Sequence, residues 1–404
     1  MNNVFINELG QVPLQERPLE ITERKGLGHP DTMCDNIMNQ ISVDLSTEYL
    51  KRFGNIYHHN MDKGLIAAGE TSVKFGGGKV NRPILIVYGD RATFKVGSED
   101  VPVNEIAMKS TKSWLKKNLR FVDPDIHVKY QSEIRPGSAA LQDIFGRKQK
   151  GEFLGANDTS AAVGFAPYTE QEKLILGLEN YLNSKEFKKE HPESGEDIKL
   201  MGLRRGKKVD LTIAIAMVDR YIGSEDEYFK RKVEINESIK SWIDDKGGFE
   251  EVKVSLNALD ARGRGLDGLY LTVLGTSAEA GDSGQVGRGN NVRGVIALLR
   301  PMSSEAAAGK NPVSHVGKIY NMLCYRIADR IIDEVSGVKE TYVWLLSRIG
   351  CPINEPSVVS AQLIPEKGVA LKSLQPSIEN IIDDEFEHLD EFCSGLADGH
   401  VNLR

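Results

Sequence analysis

Four cysteines in 404 residues is a sparse supply. Cys34, Cys324, Cys351 and Cys393 lie far apart and form no CxxC or zinc-type pair, which argues for buried free thiols over metal ligands. Three of the four sit in apolar or helical surroundings, the setting of buried free thiols. Long apolar runs are missing as well: no stretch approaches the roughly 20 residues of a membrane span. The opening run MNNVFINELGQVPLQERP has neither a basic n-region nor an apolar h-region, so a cytoplasmic protein without membrane attachment is expected. There is no excess of basic charge. With 51 basic and 58 acidic residues the net charge is −7, which argues against a broad nucleic-acid or anionic-membrane surface. A local basic pocket for a phosphorylated small molecule stays open. No short-period repeat and no low-complexity tract is present.

Standard catalytic signatures are absent too. No GxGxxG occurs in the densest glycine cluster. A P-loop around Gly309-Lys310 needs Gly at 304 and Ser or Thr at 311, where the chain has Ser304 and Asn311. No GxSxG elbow accompanies the eight histidines, so no protein nucleophile is identifiable.

What is present is an ordinary globular composition, 40% apolar and 27% charged, with length for about two to three domains. Strand-like, β-branched runs cover Gly64–Phe75, Arg82–Phe94, Lys208–Ile222, Phe249–Leu259 and Leu269–Glu279. Helical periodicity marks Asn104–Leu119, Thr169–Asn183, Glu225–Asp244 and Pro312–Val335. The alternation predicts a mixed α/β chain with sheets partly covered by helices. The polar run Asn183–Asp197 reads as an exposed loop and a domain boundary.

From Thr32 onward Met33, Ile37, Met38, Ile41, Leu45 and Tyr49 recur on one helical face, behind the stretch GLGHPD. Asp31 and Thr32 stand where an N-cap belongs. His29 precedes them among glycines that admit a ligand close to backbone. A helix start favours an anion, so GHPD reads either as a cap or as an anion site with Asp31 holding its metal.

Four further segments carry a similar ambiguity. In SAEAGDSGQVGRGNNVRG, glycines including Gly284 would open backbone N–H groups to phosphate, with Asp282 for a hard cation and Arg288 for a phosphoryl oxygen; the alternative is a long turn with solvated charges. Lys310 is either a phosphate ligand ahead of a helix or a surface lysine. Asp158 in GANDTSAAVGFAPY is an Asx-turn or a site residue. Asp197 and Lys199 stand at strand spacing, which by default makes an exposed salt bridge. Collectively the segments offer acids for hard cations and bases for a polyphosphate, leaving a substrate atom to act as nucleophile.

GLGHPDTMCDNI, GANDTSAAVGFAP, GTSAEAGDSGQVGRGNNVRG and RPMSSEAAAGKNPVSHVGKIYN resemble, in this order, the S-adenosylmethionine synthetases of the archaeal type, from about Arg17 to about Pro365. The resemblance implies transfer of adenosine from ATP to methionine sulfur, with the triphosphate then cleaved to pyrophosphate and phosphate. It implies two Mg²⁺ and a K⁺ as cofactors. It likens His29 to the histidine beside the triphosphate, Asp31 to a Mg²⁺ ligand and Glu23 to the acid near adenosine and the monovalent ion. Glu70 is similar to the potassium-associated glutamate, Asp158 to the aspartate at the adenosine–methionine side, and Asp197 with Lys199 to an Asp-x-Lys whose lysine meets phosphate. Asp282 corresponds to a metal or methionine ligand, Arg288 and Lys310 to triphosphate cations.

Two lysines of the bacterial and eukaryotic pattern fall on Gly289 and Ser314, with Arg293, His315 and Lys318 as candidates to replace them; Gly284, Arg293, Ser314 and His315 join the expected substrate-binding set. The segment Gln131–Gly155, with Gly137, Ser138, Arg147, Lys148 and Lys150, resembles a loop that closes over both substrates. The family architecture implies three similar mixed-sheet domains around a pseudo-threefold axis with exchanged segments, here near 1–150, 151–290 and 291–404. It also implies a homodimer with active sites between subunits. An ATP-dependent phosphotransferase or ligase, or a non-catalytic nucleotide-binding module, is the alternative.

Overall fold

The computed structural model describes residues 3–137, 145, 153–401 and 403; Ser138, Arg147, Lys148 and Lys150 of the expected closing loop lie outside them. Helices are α1 (Pro30–Phe53), α2 (Val103–Asn118), α3 (Glu170–Leu182), α4 (Lys185–Glu190), α5 (Glu225–Lys246), α6 (Val316–Glu334), α7 (Leu371–Glu387) and α8 (Leu389–Ala397). Among the described residues no helix is long and apolar enough to cross a membrane.

Three larger sheets carry the fold. The first runs Glu251–Leu256, Lys208–Val218, Ser194–Arg205, Leu19–Lys25, Ile296–Ala297, with Leu271–Thr272 paired onto the second of these strands. Another is ordered Val4–Glu8, Val358–Pro365, Val338–Leu346, Ala161–Ala166, and the last Val128–Ser132, Ile84–Tyr88, Gly64–Ala67, Gly284–Gln285. All three mix parallel and antiparallel pairs. Each draws strands from distant parts of the chain, and each side of the molecule has its own apolar core. The expected mixed α/β architecture with exchanged segments is therefore present.

Helix α1 follows its sequence pattern. Met33, Ile37, Met38, Ile41, Leu45 and Tyr49 are all fully buried, at about 1.5–3 kcal/mol for each large apolar side chain. Cys34, Cys324 and Cys393 are buried thiols, as their surroundings imply. The cap differs from expectation. His29, not Asp31, is the N-cap: Pro30 takes the first helical position and the His29 ring accepts the Asp31 N–H. Gly54 ends the helix in the left-handed region, at φ 71°.

Two further expectations are corrected. Asn183–Asp197 is not an exposed loop; it forms α4 and the start of a central strand, with Phe187, Lys188, Glu193 and Asp197 buried. Burial is made possible by charge partners: the Lys188 ammonium donates to Ser194 Oγ and the Gly195 carbonyl, and Arg120 pairs with Glu196. Leu269–Glu279 is strand only at Leu271–Thr272. Beyond it the Glu279 carboxylate accepts the Val273 and Leu274 N–H groups and curls the chain into a turn.

Candidate active site

The site grows from the end of one strand and the start of α1. Strand Leu19–Lys25 alternates faces, burying Glu20, Thr22 and Arg24 and leaving Glu23 and Lys25 half-buried on the other side. After the turn Gly26–Gly28, His29 caps α1. Because its Nδ1 accepts a backbone N–H at 3.3 Å, a neutral ring carries its proton on Nε2, and that nitrogen faces Asp282 Oδ2 at 4.0 Å. Burial pushes the His29 pKa down, opposed by the negative charges of Asp197, Asp31 and Asp282. The ring is thus an uncharged donor beside a group of carboxylates.

Asp31 stands in the first turn. Its Oδ1 accepts the Gln285 N–H at 3.0 Å and its Oδ2 meets the Lys25 ammonium at 2.9 Å. That first contact explains Gly284, whose Cβ would collide with the Pro30 carbonyl as the loop crosses the helix start. Asp197 is buried and accepts both the N–H and the hydroxyl of Ser277, at 2.8 and 2.5 Å. Burial raises its pKa, with His29 opposing. Asp197 and Lys199 are therefore not the exposed pair expected from their spacing, since a register shift between Ser194 and Ile198 separates them; Lys199 reaches Glu23 at 3.1 Å. Asp282 and Arg288 are exposed, and Glu70 lies exposed on a strand next to the same loop, where Ala68 N–H meets Ser283 Oγ.

The other expected residues gather elsewhere. Lys310 is buried between Asp62 Oδ2 at 2.6 Å and Glu305 at 3.0 Å, and its carbonyl accepts from Ser42. Ser42 is eleven residues beyond Asp31 on α1, about 16 Å along the axis. His315 caps α6 as His29 caps α1, its Nδ1 accepting the Gly317 N–H. Burial and then Lys310 push its pKa down to about 3. Asn157 N–H binds the Ser314 carbonyl, which brings the Asp158 segment here, and Gly137 packs against His58. The Asx reading of Asp158 also holds in part, since its carboxylate accepts the Thr159 N–H. Among the described residues no ion pair or hydrogen bond joins this cluster to His29, Asp31 or Asp282. Arg293 belongs to neither group: it pairs with Asp329 and stacks on Tyr168. Lys318 donates to Asn39 and is pushed down to about 7 by burial.

Sequence reasoning missed Lys25, Asp35, Asp62 and Ser277. Lys25 carried a usable signal, since it shares a strand face with Glu23 and immediately precedes the glycine turn. The others are placed by long-range packing.

The family model described as S-adenosylmethionine synthetase (AdoMet synthetase) matches residues 2–400. The chain belongs to this family. A probable S-adenosylmethionine synthase of Aquifex aeolicus is 46% identical over 392 residues, covering 97% of each chain. The S-adenosylmethionine synthase of Thermococcus gammatolerans is 45% identical over 403 residues, 100% of this chain and 99% of that one, and that of Methanocaldococcus jannaschii 45% identical over 407 residues, 99% of each. A solved structure of an unusual S-adenosylmethionine synthetase from Campylobacter jejuni aligns with TM-score 0.58 at 17% identity, covering 95% of this chain and 94% of that one, which bears on the fold alone. Membership places the chain among the methionine adenosyltransferases, and the kinase, ligase and non-catalytic alternatives are not favoured.

Proposed function

We propose that the chain makes S-adenosylmethionine from ATP and L-methionine by attack of the methionine sulfur on C5′ of the ribose, expelling the whole triphosphate, which is then hydrolysed to pyrophosphate and phosphate. The observation that carries this reading is the His29 cleft, where a neutral ring donor and a lysine stand among acidic side chains and, among the described residues, no activated nucleophile is paired with the histidine. A thioether has no proton to lose, so the attack needs no base. The departing group carries about four negative charges, and its stabilisation is the main task. His29 Nε2–H is a donor for the oxygen that leaves carbon, while Arg288, on the loop after Asp282, and Lys199, beside Glu23, are exposed cations.

The acids fit Mg²⁺. Asp31 and Asp282 offer carboxylate oxygens near the two nitrogens of His29, at 4.0 Å each. No ready cage of three or more acidic, histidine or cysteine side chains exists among the described residues. That suits an ion that keeps waters and takes its remaining ligands from phosphates. Asp31 and Asp282 would hold such an ion where it would neutralise charge on the triphosphate. We read two such ions per site, and a K⁺ near Glu70.

The separation of the Lys310 group from His29 supports a homodimer in which each site takes His29, Asp31 and Asp282 from one chain and Lys310, Asp158, Ser314 and His315 from the other. Gly137 and Ser138 would then serve the same side, in a cytoplasmic enzyme of three repeated units near 1–150, 151–290 and 291–404. Incubation with ATP, Mg²⁺ and methionine should release pyrophosphate and phosphate in equal amounts, only when methionine is present. ADP as product, or AMP with pyrophosphate, would contradict the reading.

A further inference from the structure

Lys25 is placed twice over by its backbone. Its N–H and carbonyl are clasped by the Asn290 side chain at 2.9 and 2.7 Å, and the carbonyl also accepts from Thr32 Oγ1 at 3.0 Å. The side chain is therefore not needed to hold strand, loop and helix together. Its ammonium meets Asp31 Oδ2 at 2.9 Å and the Arg288 carbonyl at 2.6 Å, with 13% of the side chain exposed.

The other oxygen of Asp31 is already engaged by the Gln285 N–H, so Oδ2 is the oxygen left for a metal ion, and it is the one Lys25 holds. A divalent ion on that oxygen and an ammonium beside it repel strongly in a poorly screened cleft. The flexible four-carbon stem of lysine allows the ammonium to leave without moving the backbone. The next loop position offers no rival cation. Asp35 accepts the Gly287 and Gly289 N–H groups at 2.8 and 3.1 Å, and its carboxylate fills the space a Cβ at Gly289 would need.

We propose that Lys25 is the resident counter-ion of the cleft: its ammonium neutralises Asp31 while no divalent cation is bound, and passes to the polyphosphate when a cation takes the carboxylate. The inference rests on the assignment of Asp31 as a metal ligand. It explains how a buried acid stays compensated both before and after loading, and it gives the anion a second cation beside Arg288.

The test is Mn²⁺ binding without nucleotide, followed by electron paramagnetic resonance, together with binding of tripolyphosphate in Mg²⁺. Wild type, Lys25→Met, Lys25→Arg and Asp31→Asn are compared. Lys25→Met should bind Mn²⁺ about tenfold more tightly than wild type and tripolyphosphate about tenfold more weakly, the scale of one lost charge contact. Lys25→Arg should restore both toward wild type, and Asp31→Asn should weaken Mn²⁺. If Lys25→Met binds Mn²⁺ no more tightly while Asp31→Asn binds it more weakly, the counter-ion role is overturned and the metal assignment stands. If Asp31→Asn binds Mn²⁺ like wild type, the metal assignment fails and the inference with it.

Discussion

The His29 cleft and the Lys310 cluster use the same side chains, histidine, aspartate and lysine, and hold them in opposite ways. Both begin with a histidine that caps a helix and accepts an N–H two residues on. In the cleft burial is uneven: the side chains of His29 and Asp31 are 9% and 10% exposed, that of Lys25 13%, and that of Asp282 55%. In the cluster the side chain of Lys310 is 3% exposed and that of Asp62 7%, with Lys63, Asn60 and Glu305 completing the network. Burial without compensation would be costly, so the cluster is self-paired; the cleft pairs its buried Asp31 with Lys25 but leaves the Asp282 carboxylate open to solvent. Within one chain, then, the cluster is closed on itself and the cleft is open at one edge.

The sharpest way to break that contrast is Lys310→Met. It removes a buried cation from Asp62, and with Lys63 still at 2.7 Å the cost should be about 3 kcal/mol, read as a lower urea midpoint. A midpoint equal to wild type would mean that the cluster is not holding the fold. Asp31→Asn and Asp282→Asn come next. Each should lower kcat about a hundredfold, the scale of one transition-state contact, with an unchanged midpoint for the exposed Asp282. Near-normal turnover in both would return the cleft to a structural role.

His29→Asn keeps a donor but shifts it, so sulfonium formation should slow at least about tenfold more than hydrolysis of added triphosphate. Equal losses would make His29 a general polyphosphate contact.

The smallest effect concerns pH. Burial pushes His59 down to about 3 and His58 to about 4. Between those values and the ordinary 6.5 the unfolded chain binds more protons than the folded one, so stability falls as pH drops through that window. His59→Gln should flatten the acid limb of Tm against pH. An unchanged limb would place the acid sensitivity elsewhere.

Much of this contrast was legible in the sequence, because local pattern and tertiary role agree there. The periodic face of α1 is buried as written, and the helices expected at Asn104–Leu119, Thr169–Asn183 and Glu225–Asp244 lie within two residues of α2, α3 and α5. The helix expected from Pro312 starts at Val316, since Asn311 Oδ1 accepts from Val313 N–H and Ser314 Oγ in a turn before the His315 cap. What stayed illegible depends on distant partners. Lys188, Glu196 and Asp197 look solvated in sequence and are buried because Ser194, Arg120 and Ser277 meet them. Arg24 with Glu179, Arg204 with Glu20 and Arg300 with Glu172 are buried pairs of the same kind. The division of the expected site into two groups was equally hidden, because chain order does not reveal how far along α1 each loop is anchored.

The homodimer reading turns that division into one site, and complementation tests it. His29→Ala and Asp158→Ala chains, each first assayed alone for loss of activity, are co-expressed and the dimers purified. If each site takes His29 from one chain and Asp158 from the other, half of the dimers are mixed and each has one intact site, so about a quarter of wild-type activity should return. If both residues serve a site within one chain, every site in the mixture carries a lesion, and activity no higher than that of the separate variants would contradict the account.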